Sequence, residues 1–143
     1  MLYRFEAKNI GFDDEYDALT VAFGGLPDTD NYPTVYLMLQ RSRDENEDEP
    51  GIEGVYAEWC GQEMSCYGCI QKFDLFRNRA EVKFMESVDF YLPGSARGES
   101  KGERLTELVI TFAIDVEKYV ELKGTLSAVI FLGCDCFAIH DAD

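Results

Sequence analysis

The sequence predicts an α+β fold: a curved, mainly antiparallel sheet of about seven strands with one C-terminal amphipathic helix packed on it. Three observations lead there. Most apolar runs alternate with period two and follow one another through short turns, which favours antiparallel pairing. One late segment switches to three- and four-residue spacing, the period of a helix. No internal repeat or domain linker divides the 143 residues, so 1–143 reads as one domain with room for a real core.

Taken in order, "LYRFEAK" at 2–8 alternates Tyr3, Phe5 and Ala7, the inward face, with Leu2, Arg4 and Glu6. "GFDDEYD" reads as a turn with an acidic tip. "ALTVAFGG" sets Leu19, Val21 and Phe23 on one face, and Gly24-Gly25 followed by Pro27, Asp28 and Asp30 makes a loop. "TVYLMLQR" at 34–41 is apolar on both faces, as a central strand is.

Residues 43–54, "RDENEDEPGIEG", carry six acids and one Arg, a solvated loop between strands. "VYAEWC" at 55–60 alternates again, and Trp59 reads as core. After a cysteine-bearing turn, "GCIQKFDLF" and "AEVKFME" form a hairpin joined by "RNRA". Residues 93–104 are flexible in composition, with a local basic excess.

"LTELVITFAI" at 105–114 is a strong strand, with Leu108, Ile110, Phe112 and Ile114 on one face. Asp115 then caps a helix and Glu117 sits in its first turn. Tyr119, Leu122, Leu126, Val129 and Ile130 stripe about four turns of it. Gly124 weakens it by roughly 1 kcal/mol relative to Ala, and Gly133 is a natural stop. Phe137 and Ile139 suggest a short edge strand.

Composition excludes several function classes. Thirteen Lys and Arg against 28 Asp and Glu give a net charge of −15. Such a field repels phosphate backbones and anionic lipid, so nucleic acid and membrane are not the expected partners. It draws in a basic partner, although solubility alone also accounts for an acidic chain. The first residues lack a basic stretch followed by an apolar run, and no segment approaches the roughly 18 apolar residues of a spanning helix. A cytoplasmic protein with reduced cysteines is the expectation, and an odd count of five fits poorly with a closed disulfide set.

Catalytic signals are sparse. The one histidine, His140, stands near the chain end, which disfavours His-based triads. No phosphate-binding or dinucleotide glycine motif is present, and "GFDDEYD" lacks calcium-loop spacing. Among 28 acids some close pair is inevitable, and nothing singles one out. No cofactor and no catalytic residue is expected.

The sharpest cluster is "CGQEMSCYGCI" at 60–70. Cys66-x-x-Cys69 with Cys134-x-Cys136 offers four thiolates for tetrahedral zinc. Against this, Asp135 adds charge to an anionic cluster. A redox C-x-x-C usually opens a helix, whereas Ile70 opens a strand. The cysteines read as small packing or turn residues, with zinc as the alternative. The acidic run Asp44, Glu45, Glu47, Asp48, Glu49 and Glu53 is either a solvated loop or a docking surface for a basic protein. Tyr56 and Glu58 stand beside it on the next strand.

"YLMLQRS" at 36–42, the acidic stretch, "GVYAEW" at 54–59 and "GQEMSCYGCI" at 61–70 together resemble the bacterial immunity protein 10 family. Gln40, Arg41, Tyr56, Glu58, Gln62, Ser65, Tyr67, Gly68 and Ile70 carry the likeness. Cys69 departs from it, standing where the family tends to have Gly. "ITFAIDVEKYVELKGTLSAVIF" resembles the family's closing strand and helix. The resemblance implies an antidote that neutralises a cognate protein toxin, with a basic surface, by stoichiometric binding rather than turnover. With that partner, the acidic run Asp44, Glu45, Glu47, Asp48, Glu49 and Glu53, together with Tyr56 and Glu58, is the expected contact surface. Gln62, Ser65, Tyr67 and Gly68 become a structural turn in which Gly68 takes a conformation that a side chain would resist.

Overall fold

A computed structural model describes residues 1–15, 18–24, 35–42, 54–61, 63–92 and 103–140. Ten strands form two five-stranded sheets among them, in place of one sheet of about seven strands. The class is α+β, as the periodicities predict.

The first sheet contains β1 (Leu2–Glu6), β7 (Ile70–Phe76), β8 (Arg79–Phe84), β9 (Glu107–Thr111) and β10 (Phe137–His140), in the order β1-β9-β8-β7-β10. Its three central strands are antiparallel, while β1 and β10 join its edges in parallel. The second sheet runs β2 (Asn9–Glu15), β3 (Ala18–Gly24), β4 (Tyr36–Ser42), β5 (Tyr56–Trp59), β6 (Ser65–Tyr67), antiparallel throughout.

Two of the additional strands replace expected turns. β2 covers most of the expected acidic turn. Ile10 is buried and Phe12 packs on the core, while Gly11 and Asp13 are exposed. Two short acids in sequence mask this alternation, and an edge strand accepts them at little cost. β6 lies inside the expected cysteine-bearing turn. Only three residues long, it is too short for a periodicity to declare itself.

One hydrophobic cluster joins the inner faces of both sheets and the helix. Phe23 of β3 meets Phe73 of β7 with ring centroids 6.2 Å apart. Trp59 is fully buried between Tyr3 and Phe5, at 6.0 and 5.8 Å, and its indole N–H donates to the Tyr91 carbonyl at 3.0 Å. A buried indole needs such a partner.

The helix α1 (Val116–Thr125) is capped by Asp115, whose carboxylate accepts from the Lys118 N–H at 2.8 Å. It continues as a π-helical turn, Leu126–Ile130, closed by the Phe131 N–H bonding to the Leu126 carbonyl at 2.8 Å. Tyr119, Leu122, Leu126 and Ile130 are buried as expected. Val129 is only partly so, because the wider π turn rotates it off the stripe. Gly133 ends the segment at φ +78°.

Candidate functional site

Strand alternation decides what the second sheet shows to the outside. On β4, Leu37 and Leu39 enter the core, so Tyr36, Met38, Gln40 and Ser42 point outward. On β5, Ala57 and Trp59 point inward, so Tyr56 and Glu58 point outward. On β6, Tyr67 pairs with Tyr56 and Ser65 with Glu58. The Tyr56 and Tyr67 rings lie 5.3 Å apart, and Tyr67 is 68% exposed.

Glu58 sits in the middle of this cluster and is only 8% exposed. One carboxylate oxygen accepts from the Tyr36 hydroxyl at 2.5 Å, the other from the Tyr56 hydroxyl at 2.9 Å. Short O–H···O⁻ bonds of this kind are strong. Burial, and then the bond to Glu58, push the Tyr36 hydroxyl well above the ordinary tyrosine range. Burial, above all, raises Tyr56. Beside them, Gln40 donates to the Thr20 hydroxyl at 2.9 Å, which ties β4 to β3 on the same face.

The two outer sheet faces differ in charge. No Lys or Arg occupies an outward position on any of the five strands of the second sheet, whereas Asp13 and Glu58 do. Arg41 is the strand's one cation, and it turns inward to the helix end. The first sheet's outer face is laced with neutralising pairs: Arg79–Glu81 at 2.7 Å, Lys72–Asp74 at 3.7 Å and His140–Asp74 at 2.9 Å.

Of the residues singled out by sequence, Tyr56 and Glu58 are together at the centre of the tyrosine cluster. Asp44, Glu45, Glu47, Asp48, Glu49 and Glu53 lie outside the described residues, in the segment that links Ser42 of β4 to Gly54 before β5. Gln62 also lies outside them. Gly68 takes φ +68°, which favours glycine. Ser65 and Tyr67, expected in a turn, belong instead to β6, and Tyr67 is exposed. Tyr36 was not foreseen as part of the site. Its signal was its phase: it alternates with Leu37 and Leu39 on the strand facing Glu58.

The structure does not bring the four cysteines of the zinc reading together. Among the described residues no three of His, Cys, Asp or Glu approach closely enough to hold a metal ion. Cys69 Sγ lies 3.8 Å from the Cys66 carbonyl oxygen, while Cys134 Sγ lies 3.9 Å from Arg41 Nη1, so each pair keeps its own surroundings. Burial pushes all five thiols up, Cys60 and Cys136 to about 11. Protonated thiols are poor ligands and poor nucleophiles.

A family model described as Immunity protein 10 matches residues 6–92. The chain belongs to the Immunity protein 10 family. The matched span contains the whole of the second sheet together with β7 and β8, while β9, the helix and β10 lie beyond it. No curated protein and no solved structure matches the chain. As a family member it is an immunity protein, the partner of a cognate toxin. No helix among the described residues is long and apolar enough to cross a membrane.

Proposed function

We propose that this Immunity protein 10 family member neutralises its toxin in the cytoplasm by stoichiometric binding, and that the outer face of the second sheet and the acidic segment 43–53 form the docking surface. The absence of any Lys or Arg from the outward positions of that sheet carries the reading. An anionic chain whose one sheet face lacks cations is complementary to a basic protein surface. Tyr56 and Tyr67 supply rigid aromatic contact area, and tyrosine is enriched among the residues that dominate interface energetics. Asp44, Glu45, Glu47, Asp48, Glu49 and Glu53 stand in sequence between β4 and β5, and they add six negative charges to the proposed surface.

Inhibition of this kind needs no turnover: covering a basic active site is sufficient. The test is binding to a candidate toxin taken from the genes that flank this one. A one-to-one complex that abolishes toxicity, and that is weakened by Tyr67→Ala, is expected. A complex indifferent to Tyr67→Ala and to Glu58→Gln would place the contact elsewhere, and the absence of any complex would remove the antidote reading.

A further inference from the structure

A pocket of about 260 Å³ opens beside the edge strand β6, between it and the chain at 87–90. Met64, Cys69, Val88 and Phe90 give it apolar walls, and Glu63 and Asp89 contribute two carboxylates at exposed positions. Among the described residues no Lys, Arg or His lines it. Tyr67 lines it too, so the pocket adjoins the tyrosine face of the second sheet.

The walls are held together before any partner arrives. The Met85 N–H donates to the Cys69 carbonyl at 2.9 Å, and the Tyr91 N–H reaches the Met64 sulfur at 3.3 Å. On the opposite strand of chain, the Arg104 guanidinium donates twice to the Val88 carbonyl, at 3.0 and 2.8 Å, and once to the Glu86 carbonyl. A site fixed in this way spares the ordering cost that flexible contacts incur on binding.

We infer that this pocket receives an arginine side chain of the partner toxin. Its chemistry suits that occupant. The apolar walls take the methylene stem, which prefers to leave water while its head stays near charge. Glu63 and Asp89 accept from the guanidinium, whose fork of donors can serve two carboxylates. Tyr67, which also lines the pocket, adds an exposed aromatic ring beside it. The seat rests on the toxin-binding reading, since it supplies the central anchor at the edge of the docking face, and arginine is among the residues that most often dominate interfaces.

Two probes test it separately from that reading. The first is N-acetyl-arginine amide, titrated against the free protein and followed by NMR at the Met64 and Val88 methyl groups. Saturable shifts are expected, absent with the uncharged citrulline analogue and absent in the double variant Glu63→Gln/Asp89→Asn. Both replaced residues are exposed, and the denaturation midpoint of the variant is measured beside that of the wild type to separate binding from stability. Equal shifts from arginine and citrulline analogues, or none from either, overturn the arginine seat.

The second probe is the candidate toxin taken from the flanking genes. The double variant is expected to bind it about tenfold more weakly, chiefly through faster dissociation. Unaltered affinity overturns the arginine seat and leaves the antidote reading standing. Binding of the arginine analogue with no binding of the toxin removes the antidote reading and, with it, the toxin's arginine as the occupant.

Discussion

Arg41 of β4 donates from Nη1 to the Ile130 carbonyl at 3.0 Å, across 89 positions of sequence, and from the same nitrogen to the Leu132 carbonyl at 2.8 Å. Ile130 ends the π-helical turn and Leu132 lies two residues beyond it, where its carbonyl also accepts from the Cys134 thiol at 3.9 Å. A cation there is favoured twice: it supplies the missing donors, and it opposes the negative end of the helix dipole. Arg41 thus locks the helix to the sheet.

Replacing Arg41 with Ala should destabilise the protein by about 2 kcal/mol, the scale of hydrogen bonds from a charged donor. Arg41→Lys should recover only part, because an ammonium lacks the fixed fork. Denaturant midpoints at unchanged m-value measure both. Equal stability of wild type and Arg41→Ala would show that water caps the helix equally well.

Much of this architecture was legible in the sequence, for identifiable reasons. Period-two alternation put Tyr3, Phe5 and Ala7 on the inward side and Leu108, Ile110 and Phe112 in the core, because each set shares the strand face that packs on the hydrophobic cluster. Asp115 declared the helix start, since few residues both accept from a first-turn N–H and precede a helical period. The division into two sheets was not legible. It depends on which strands share hydrogen bonds, and β1 pairs with β9 more than 100 residues away, as the Leu2–Glu107 pairing shows. The tyrosine cluster was half legible. Tyr56 and Glu58 lay next to each other on one strand, but Tyr36 reaches Glu58 only through the β4–β5 register.

Burial of the Tyr36 hydroxyl, and then its bond to Glu58, should make stability fall at alkaline pH. In the folded chain the Tyr36 hydroxyl holds its proton above the ordinary value of 10.0. Between the unfolded and folded values the unfolded chain therefore binds fewer protons, and stability drops as pH rises. The contribution is complete below pH 10 and is lost above it. Tyr36→Phe should cost about 1.5 kcal/mol at neutral pH and flatten the decline above pH 10. Urea titrations of both proteins from neutral to alkaline pH decide it; parallel curves would show that Tyr36 does not titrate differently on folding.

The thiols should behave as packing groups. Treatment with a chelator should leave the circular dichroism spectrum and the thermal midpoint unchanged, as no described cluster can bind a metal. A midpoint falling by several degrees would restore a structural metal. Cys69 is buried and its thiol is pushed far up by burial, so the native protein at pH 8 should label there with a thiol reagent more slowly than the unfolded chain. Equal labelling rates would mean that β6 and the chain after it open readily. Cys69→Ala, which preserves a small apolar group, should be tolerated better than Cys69→Asp, which buries an unpaired charge.

The charge of the acidic segment should act on the rate of capture rather than on the fold. Substituting Glu45, Glu47, Asp48 and Glu49 with Gln or Asn removes four of the 28 acids and takes the formal net charge from −15 to −11. If the segment steers a basic toxin, the association rate constant falls, and its dependence on salt flattens because fewer charges remain to be screened. The dissociation rate should move little, since short-range contacts such as those of Tyr56 and Tyr67 govern release. Stability should stay within about 0.5 kcal/mol of wild type, the usual range for exposed substitutions. Stopped-flow association at low and high salt, beside a denaturation curve, separates the two effects. A slower dissociation-independent capture with an intact fold is the expected pattern. Unchanged association at low salt would assign steering to the field of the remaining acids, and a loss of stability would mean that the segment's carboxylates have partners within the fold.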